Sequence, residues 1–198
     1  KVQQLVGLRS DPMKAFKKPF KFAGTALTAL SALPLKTPSA KRNFLKTDIS
    51  KLPQIVNWPM DGGPFITMPQ VYTEDVDKPG VLNANLGMYR IQLGGNEYIQ
   101  DKEIGLHYQI HRGIGVHQSK ANALGLPLKV SIFVGGPPSH PLAAVMPLPE
   151  GLSEMTFAGA LGGRRFRYFY DDEGFCISAD ADFIITGTVY PNENKPEG

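Results

Sequence analysis

The chain has 198 residues, 42% of them hydrophobic, which allows a sizeable core and excludes wholesale disorder. Its 21 glycines and 17 prolines are too many for a helical bundle and suit a strand-rich fold with many turns. No run approaches the ~18 apolar residues of a membrane-spanning helix. The one cysteine, Cys176, excludes an intrachain disulfide or a cysteine-cluster metal site and points to a reducing, cytoplasmic setting. The net charge of +3 hides two unlike parts. Residues 1–51 hold eleven Lys or Arg against Asp11 and Asp48, whereas residues 52–198 hold ten against sixteen acids. A basic segment could contact RNA, a membrane surface or an acidic partner. It carries no aromatic stacking array or nucleic-acid motif, so a solvated linker or docking element is expected and no nucleic-acid partner. The first residue is Lys1 and the last three are Pro196-Glu197-Gly198, which reads as a piece of a longer polypeptide.

Residues 1–51 read as short helices broken by prolines. Asp11 caps a turn opening at Pro12 and carrying Met13, Phe16 and Lys17. Residues 24–33 (GTALTALSAL) form a small-residue helix stopped by Pro34, and residues 36–43 a polar loop. From Pro53 onward strands and turns take over. The turn Met60-Asp61-Gly62-Gly63-Pro64 leads into a strand over 65–68. Alternation predicts a strand over 88–93, turned by Gly94-Gly95-Asn96, and another over 104–110. Residues 116–124 read as a helix ending at Gly125, and the apolar run 130–134 (VSIFV) as a buried strand. Residues 141–146 form a short helix. A longer one spans 153–161, capped by Ser153 and stopped by Gly162-Gly163. Strands over 166–170, 174–177 and 183–189 close the chain. The helices fall at irregular intervals, so a doubly wound sheet is not expected. The expected class is β-rich α+β, a barrel-like antiparallel sheet with inserted and peripheral helices.

Three groups of residues could carry chemistry. His107 and His111 are four apart, which puts them on one face in a helix or a strand, although no HExxH motif is present. Asn85 offers a neutral oxygen suited to hard cations, and Arg90 a forked donor for carboxylate or phosphate. Gly135-Gly136-Pro137-Pro138, between a buried strand and a helix, could present amides to a phosphate, without a Walker lysine or GxGxxG spacing.

In order along the chain, several blocks resemble the UbiD family. They are Asp61-Gly62-Gly63-Pro64-Phe65-Ile66-Thr67, Asn85-Leu86-Gly87-Met88-Tyr89-Arg90 and Ile110-His111-Arg112-Gly113. Then come Val134-Gly135-Gly136-Pro137-Pro138, Ser153-Glu154 with Ala158-Gly159-Ala160-Leu161, and Pro196-Glu197-Gly198, similar to the opening of the family's EGPFG(E/D) motif. The blocks cover residues 52–198. Each is weak alone, and the ordered set is specific.

The resemblance implies the split flavin-binding β-barrel at the centre of a longer enzyme, with flanking α/β domains largely absent and residues 1–51 as a basic helical or linker segment. It implies non-oxidative, reversible decarboxylation of an aromatic or α,β-unsaturated acid with prenylated FMN, Mn²⁺ and K⁺, in the manner of quinone-precursor decarboxylases. The full-length protein is expected to be a homo-oligomeric enzyme acting on a small carboxylic acid, and the piece alone inactive. Carried over residue by residue, Asn85 and His111 are metal ligands near the flavin phosphate. Arg90 lies beside the flavin and the substrate carboxylate, Glu197 is the first catalytic acid, and a second acid lies past Gly198. Gly135, Gly136 and Pro137 would line the cofactor. The register of the family's third metal ligand, a Glu, is read onto Arg167, which cannot ligate a cation and could hold the phosphate instead. His107 is left as a surface or packing residue. Two rival functions remain: a flavin-binding module without decarboxylase activity, and a flavin reductase, for which no nicotinamide-binding motif is seen.

Overall fold

The apolar run VSIFV and the closing segment FIITGTV pair with one another and form the spine of the fold. The computed structural model describes residues 28–111, 113–148 and 152–197. β7 (Leu128–Val134) and β10 (Phe183–Val189) run antiparallel, with Ile132 opposite Ile185. On its other edge β7 pairs with β3 (Gln70–Thr73), and β3 with β4 (Asn85–Met88), giving the four-stranded order β10-β7-β3-β4. β2 (Phe65–Ile66), β5 (Ile91–Gln92) and β6 (Gly105–Leu106) make a small antiparallel sheet. β8 (Arg167–Tyr170) pairs antiparallel with β9 (Cys176–Ser178) and parallel with β1 (Leu35–Lys36). Three α-helices are inserted: α1 (Gly113–Leu124), α2 (Ser139–Val145) and α3 (Glu154–Gly162).

Both faces of the four-stranded sheet are covered, which the pleat makes visible residue by residue. Tyr72 and Phe133 point into one core with Leu86, Met155, Phe166 and Cys176. Their chain neighbours Val71 and Ile132 point into the other, with Ile91, Ile114, Leu128 and Ile185. Burying side chains such as Phe133 and Ile114, both fully enclosed, stabilises the fold by about 1.5–3 kcal/mol each. The fold is therefore mixed α+β with few helices. Among the described residues its strands lie in three sheets, and no closed barrel is formed.

Several expectations change. β3 is a strand that the sequence pattern does not predict: it is four residues long, and Gln70 and Thr73 at its ends break the apolar pattern although all four are buried. Gln70 Nε2 donates to the Gly135 carbonyl at 3.0 Å while its Oε1 stays buried without a partner, and Thr73 Oγ1 lies 2.9 Å from His117 Nδ1. The strand expected over 88–93 is divided, β4 ending at Met88 and β5 starting at Ile91, so Arg90 lies in the break. The strand over 104–110 shrinks to β6, and a turn follows at 110–111, so His107 and His111 do not share a strand face. The strand over 65–68 shrinks to β2. Residues 36–43, expected as a loop, supply the end of β1 and a 3₁₀ helix, Pro38–Asn43. Helix α1 begins three residues earlier than Val116, and α3 ends as expected, on Gly163 in the left-handed conformation at φ 65°. Ser153 stands at the N-cap of α3 but donates its hydroxyl to the Val81 carbonyl.

The later part of the basic segment packs on the domain. Residues 28–32 are helical and the Leu35 amide donates to Phe166 O at 2.8 Å. The Phe44 ring lies 5.7 Å from that of Phe169. The turn at Asp11–Lys17, the first part of the 24–33 helix and Arg112 lie outside the described residues. Among the described residues no helix is long and apolar enough to cross a membrane.

Candidate functional site

The break between β4 and β5 holds the first part of the site. Arg90 leaves the sheet there, and its guanidinium carbon sits 4.6 Å from the centre of the Phe65 ring on β2. Its Nε donates to Glu197 Oε1 at 2.9 Å, across 107 residues of chain. The other carboxylate oxygen, Oε2, lies 2.9 Å from His107 Nδ1. The Glu197 side chain is 11% exposed, against 52% for Arg90 and 67% for His107. The segment before Glu197 is fastened as well: Tyr98 Oη and Asn96 Nδ2 donate to the Pro196 carbonyl at 3.0 and 3.2 Å, and Lys195 pairs with Glu103 at 2.6 Å. Two clefts meet at this pair. One, of about 320 Å³, is lined by Trp58, Asp61, Phe65, Thr67 and Arg90. The other, of about 860 Å³, takes in His107, Tyr108 and Glu197. Both are of a size that holds small ligands. With Arg90 half exposed, the ion pair adds at most about 1 kcal/mol to stability. Its geometry matters for what it can bind.

The second part lies at the edge strand β4. Asn85 opens that strand, and its side-chain Nδ2 is buried without a hydrogen-bond partner. The amide rests on the first residue of α1: a Cβ added at Gly113 would come within 1.9 Å of Asn85 Oδ1. From the opposite face α3 delivers Glu154, whose Oε2 accepts the outward Leu86 amide at 3.2 Å. Burial pushes the Glu154 carboxyl above the usual carboxylate range, with the bonds from its own and the Leu86 backbone amides working the other way. His111 is exposed in the turn that leads into α1, two residues from Gly113, hence within about 7 Å of it along the backbone.

Sequence reasoning passed over Glu154. An acid in the first turn of a helix is what the helix dipole favours, and that ordinary reading hid its contact with β4. Among the described residues no three His, Cys, Asp or Glu converge. A cation here would depend on the Asn85 oxygen together with Glu154, whose carboxylate meets the amide of the next residue, Leu86.

Gly135, Gly136 and Pro137 form the turn after β7, tied to β3 through the bond from Gln70 to the Gly135 carbonyl. The Gly136 amide donates to the Asp182 carboxylate at 3.2 Å. The turn does hold an anion, and it belongs to the chain. Arg167 is drawn to the same corner, its Nε lying 3.1 and 3.3 Å from the Asp180 oxygens, and Arg164 joins the same carboxylate. Burial alone would raise Asp180, but the two arginines outweigh it and hold its carboxyl below the usual range. His140 lies beside this cluster, its ring stacked on Phe166 at 4.2 Å. Burial lowers it to about 4, with Asp180 opposing. Cys176 is buried and its thiol is pushed up to about 12, chiefly by that burial, which makes it an inert core residue.

Comparison with known proteins decides the family. Residues 34–198 match the family model described as UbiD, the 3-octaprenyl-4-hydroxybenzoate carboxy-lyase Rift-related domain. The chain belongs to the UbiD family. Among curated relatives, an uncharacterized protein of Chlamydia trachomatis is 36% identical over 203 residues, covering 99% of this chain and 33% of the relative. A 4-hydroxybenzoate decarboxylase component from Chlamydia pneumoniae is 37% identical over 177 residues, covering 87% of this chain and 29% of that protein. The chain thus spans about a third of the length of these relatives. Among solved structures, an evolved dimeric form of the UbiD-class enzyme HmfF from Pelotomaculum thermopropionicum, in complex with prFMN, superposes with TM-score 0.71 at 22% identity, covering 87% of this chain and 41% of that one. The closed form of vanillic acid decarboxylase from Sedimentibacter hydroxybenzoicus gives TM-score 0.66 at 22% identity, over 84% and 37%. These UbiD neighbours share the fold.

Proposed function

We propose that this chain is the flavin-binding part of a UbiD-family carboxy-lyase. The full-length enzyme would remove CO₂, reversibly, from an aromatic or α,β-unsaturated acid with prenylated FMN. The observation that carries the reading is the Arg90–Glu197 pair, which joins two distant family motifs at the meeting point of two clefts. In family terms the domain is a split barrel whose closure would draw on more than the described strands.

The residues fit the groups that the family implies. Asn85 offers its side-chain oxygen to a cation and keeps a buried, unpartnered Nδ2 donor for a phosphate oxygen, Glu154 adds a partly buried carboxylate at the next residue's amide, and oxygen donors with an imidazole from His111 suit Mn²⁺. These three would hold the ion against the flavin phosphate. Glu154 thereby takes the place that the sequence reading assigned to Arg167. When bound, prenylated FMN supplies the electron sink for the carbon that loses CO₂. Arg90 spends Nε on Glu197, and its terminal nitrogens are left to grip a substrate carboxylate in a two-pronged pair. Glu197, largely shut off from water, would hand a proton to the carbon after CO₂ departs. The enzyme would work in the cytoplasm as a homo-oligomer, with K⁺ as a further ion.

The test uses the full-length protein loaded with prenylated flavin and a panel of aromatic acids, with CO₂ release as the readout. Arg90→Lys is expected to keep flavin, seen by absorbance, and to lose turnover by a factor of roughly 10–100 or more, since lysine keeps the charge but not the planar fork. Activity within about twofold of wild type at equal occupancy would refute the role of Arg90. A protein that binds flavin and oxidises a nicotinamide but releases no CO₂ would favour the reductase reading.

A further inference from the structure

We infer that His107 is the proton relay that recharges Glu197 from solvent. The inference rests on the decarboxylase reading above. Each CO₂ released from a carboxylate leaves a carbon that takes one proton, and Glu197 must recover that proton before the next turnover. Its side chain is 11% exposed and both its oxygens are engaged, Oε1 by Arg90 and Oε2 by His107, each at 2.9 Å. Arginine does not give up a proton at any working pH, so Oε1 faces a dead end. Imidazole exchanges protons near neutrality and has two nitrogens, so it can pass one on at Nδ1 while taking another at Nε2. His107 is 67% exposed and lines the 860 Å³ cleft beside Glu197.

Four other titratable groups on this side are already engaged, the Tyr108 phenol by donating to the Gln118 side chain. The Tyr98 phenol, pushed above its usual range first by burial and then by the Glu197 charge, donates to the Pro196 carbonyl. Glu103 and Lys195 form an ion pair at 2.6 Å, with the Glu103 carboxyl held below its usual range by that bond. Lys102 and Glu193 line the cleft farther along the chain. The proton balance closes without a redox partner. Glu197 gives its proton to the carbon; neutral His107, carrying its proton on Nδ1, takes one from solvent at Nε2 as it passes the Nδ1 proton to Oε2, and exchange with water then returns the ring from its Nε2–H to its Nδ1–H form.

Two measurements on the full-length protein test this. The first needs no flavin. The Nδ1 resonance of His107, followed by NMR of labelled histidine at one fixed pH, is expected to move in Glu197→Gln, because Nδ1 lies 2.9 Å from the carboxylate that the variant removes. An unchanged resonance would overturn the contact. The second compares wild type, His107→Gln and His107→Ala with prenylated flavin at matched absorbance. His107→Gln keeps a hydrogen-bonding amide but cannot relay. It is expected to leave the first turnover within about twofold and to slow steady-state turnover by about tenfold or more. Added imidazole should restore steady-state turnover to His107→Ala. If wild type turns over and His107→Gln matches it at every pH, the relay is wrong and the decarboxylase reading stands. If wild type releases no CO₂ from any acid, both fall.

Discussion

Glu154 is an acid placed where its charge is penalised. Its carboxylate has one amide from β4 and no basic partner among the described residues, and burial raises its titration. The sign follows from linkage. A group whose titration is raised by folding costs nothing while neutral, so the metal-free fold loses stability as pH climbs through the raised value. A cation held by Glu154 and Asn85 reverses that penalty. Mn²⁺ at a hundredfold over its Kd is expected to stabilise the protein by about 2.7 kcal/mol. Glu154→Gln should abolish that gain while making the metal-free protein less sensitive to rising pH. Thermal melts with and without Mn²⁺ at pH 5 and 8 check this, and an equal Mn²⁺ response in the variant would remove Glu154 from the site. At this scale Arg90 and Glu197 came into view only through the resemblance of their sequence blocks to the family's, not through their residue types. An ordinary role hid the contacts of Glu154 at a helix start and of His107 on a presumed surface.

Between elements, the site depends on how closely α1 approaches β4. Gly113 opens α1 with the Asn85 amide where a side chain would be. A methyl there has to displace the amide, since Cβ contacts near 1.9 Å do not occur. Gly113→Ala is expected to cost Mn²⁺ affinity at least tenfold while leaving the secondary structure intact, measured by calorimetric titration and circular dichroism. Alanine is the better helix former by about 1 kcal/mol, so a general loss of helix is not the expected failure. Undiminished Mn²⁺ affinity would show that the Asn85 amide is not a ligand. The elements were readable in proportion to their patterning. β7, β10 and α3 follow from an apolar run, a β-branched stretch and a glycine stop. β3 escaped because a strand buried on both faces needs no alternation, and its end residues are polar, Gln70 bonded to Gly135 and Thr73 to His117. β6 is shorter than its pattern because the alternation over 104–110 continues past the point where the chain turns to bring His107 to Glu197 and lead into α1.

Across the whole molecule, a sheet with a core on each face carries two charged corners. The Arg90–Glu197 corner meets the clefts, whereas the Arg164–Arg167–Asp180 corner beside the Gly135–Gly136 turn is closed on itself. The second corner then serves stability, and His140 is where this can be measured. Its ring is 4% exposed, stacks on Phe166 and titrates at about 4 instead of 6.5. Burial is the main cause, and the nearby Asp180 only partly offsets it. Above pH 6.5 neither folded nor unfolded chain protonates this residue. Below it the unfolded chain takes up a proton and the folded one does not, so stability drains away as pH falls toward 4. The shift corresponds to roughly 3 kcal/mol in full, of which about 2 kcal/mol is gone by pH 5. His140→Phe keeps an aromatic ring on Phe166 and removes the proton. Urea unfolding at pH 7 and pH 5 should show wild type losing about 2 kcal/mol more than the variant across that interval. Equal losses would mean that His140 is protonated inside the fold, paired with Asp180, and that the closed corner carries one more charge than its arginines supply.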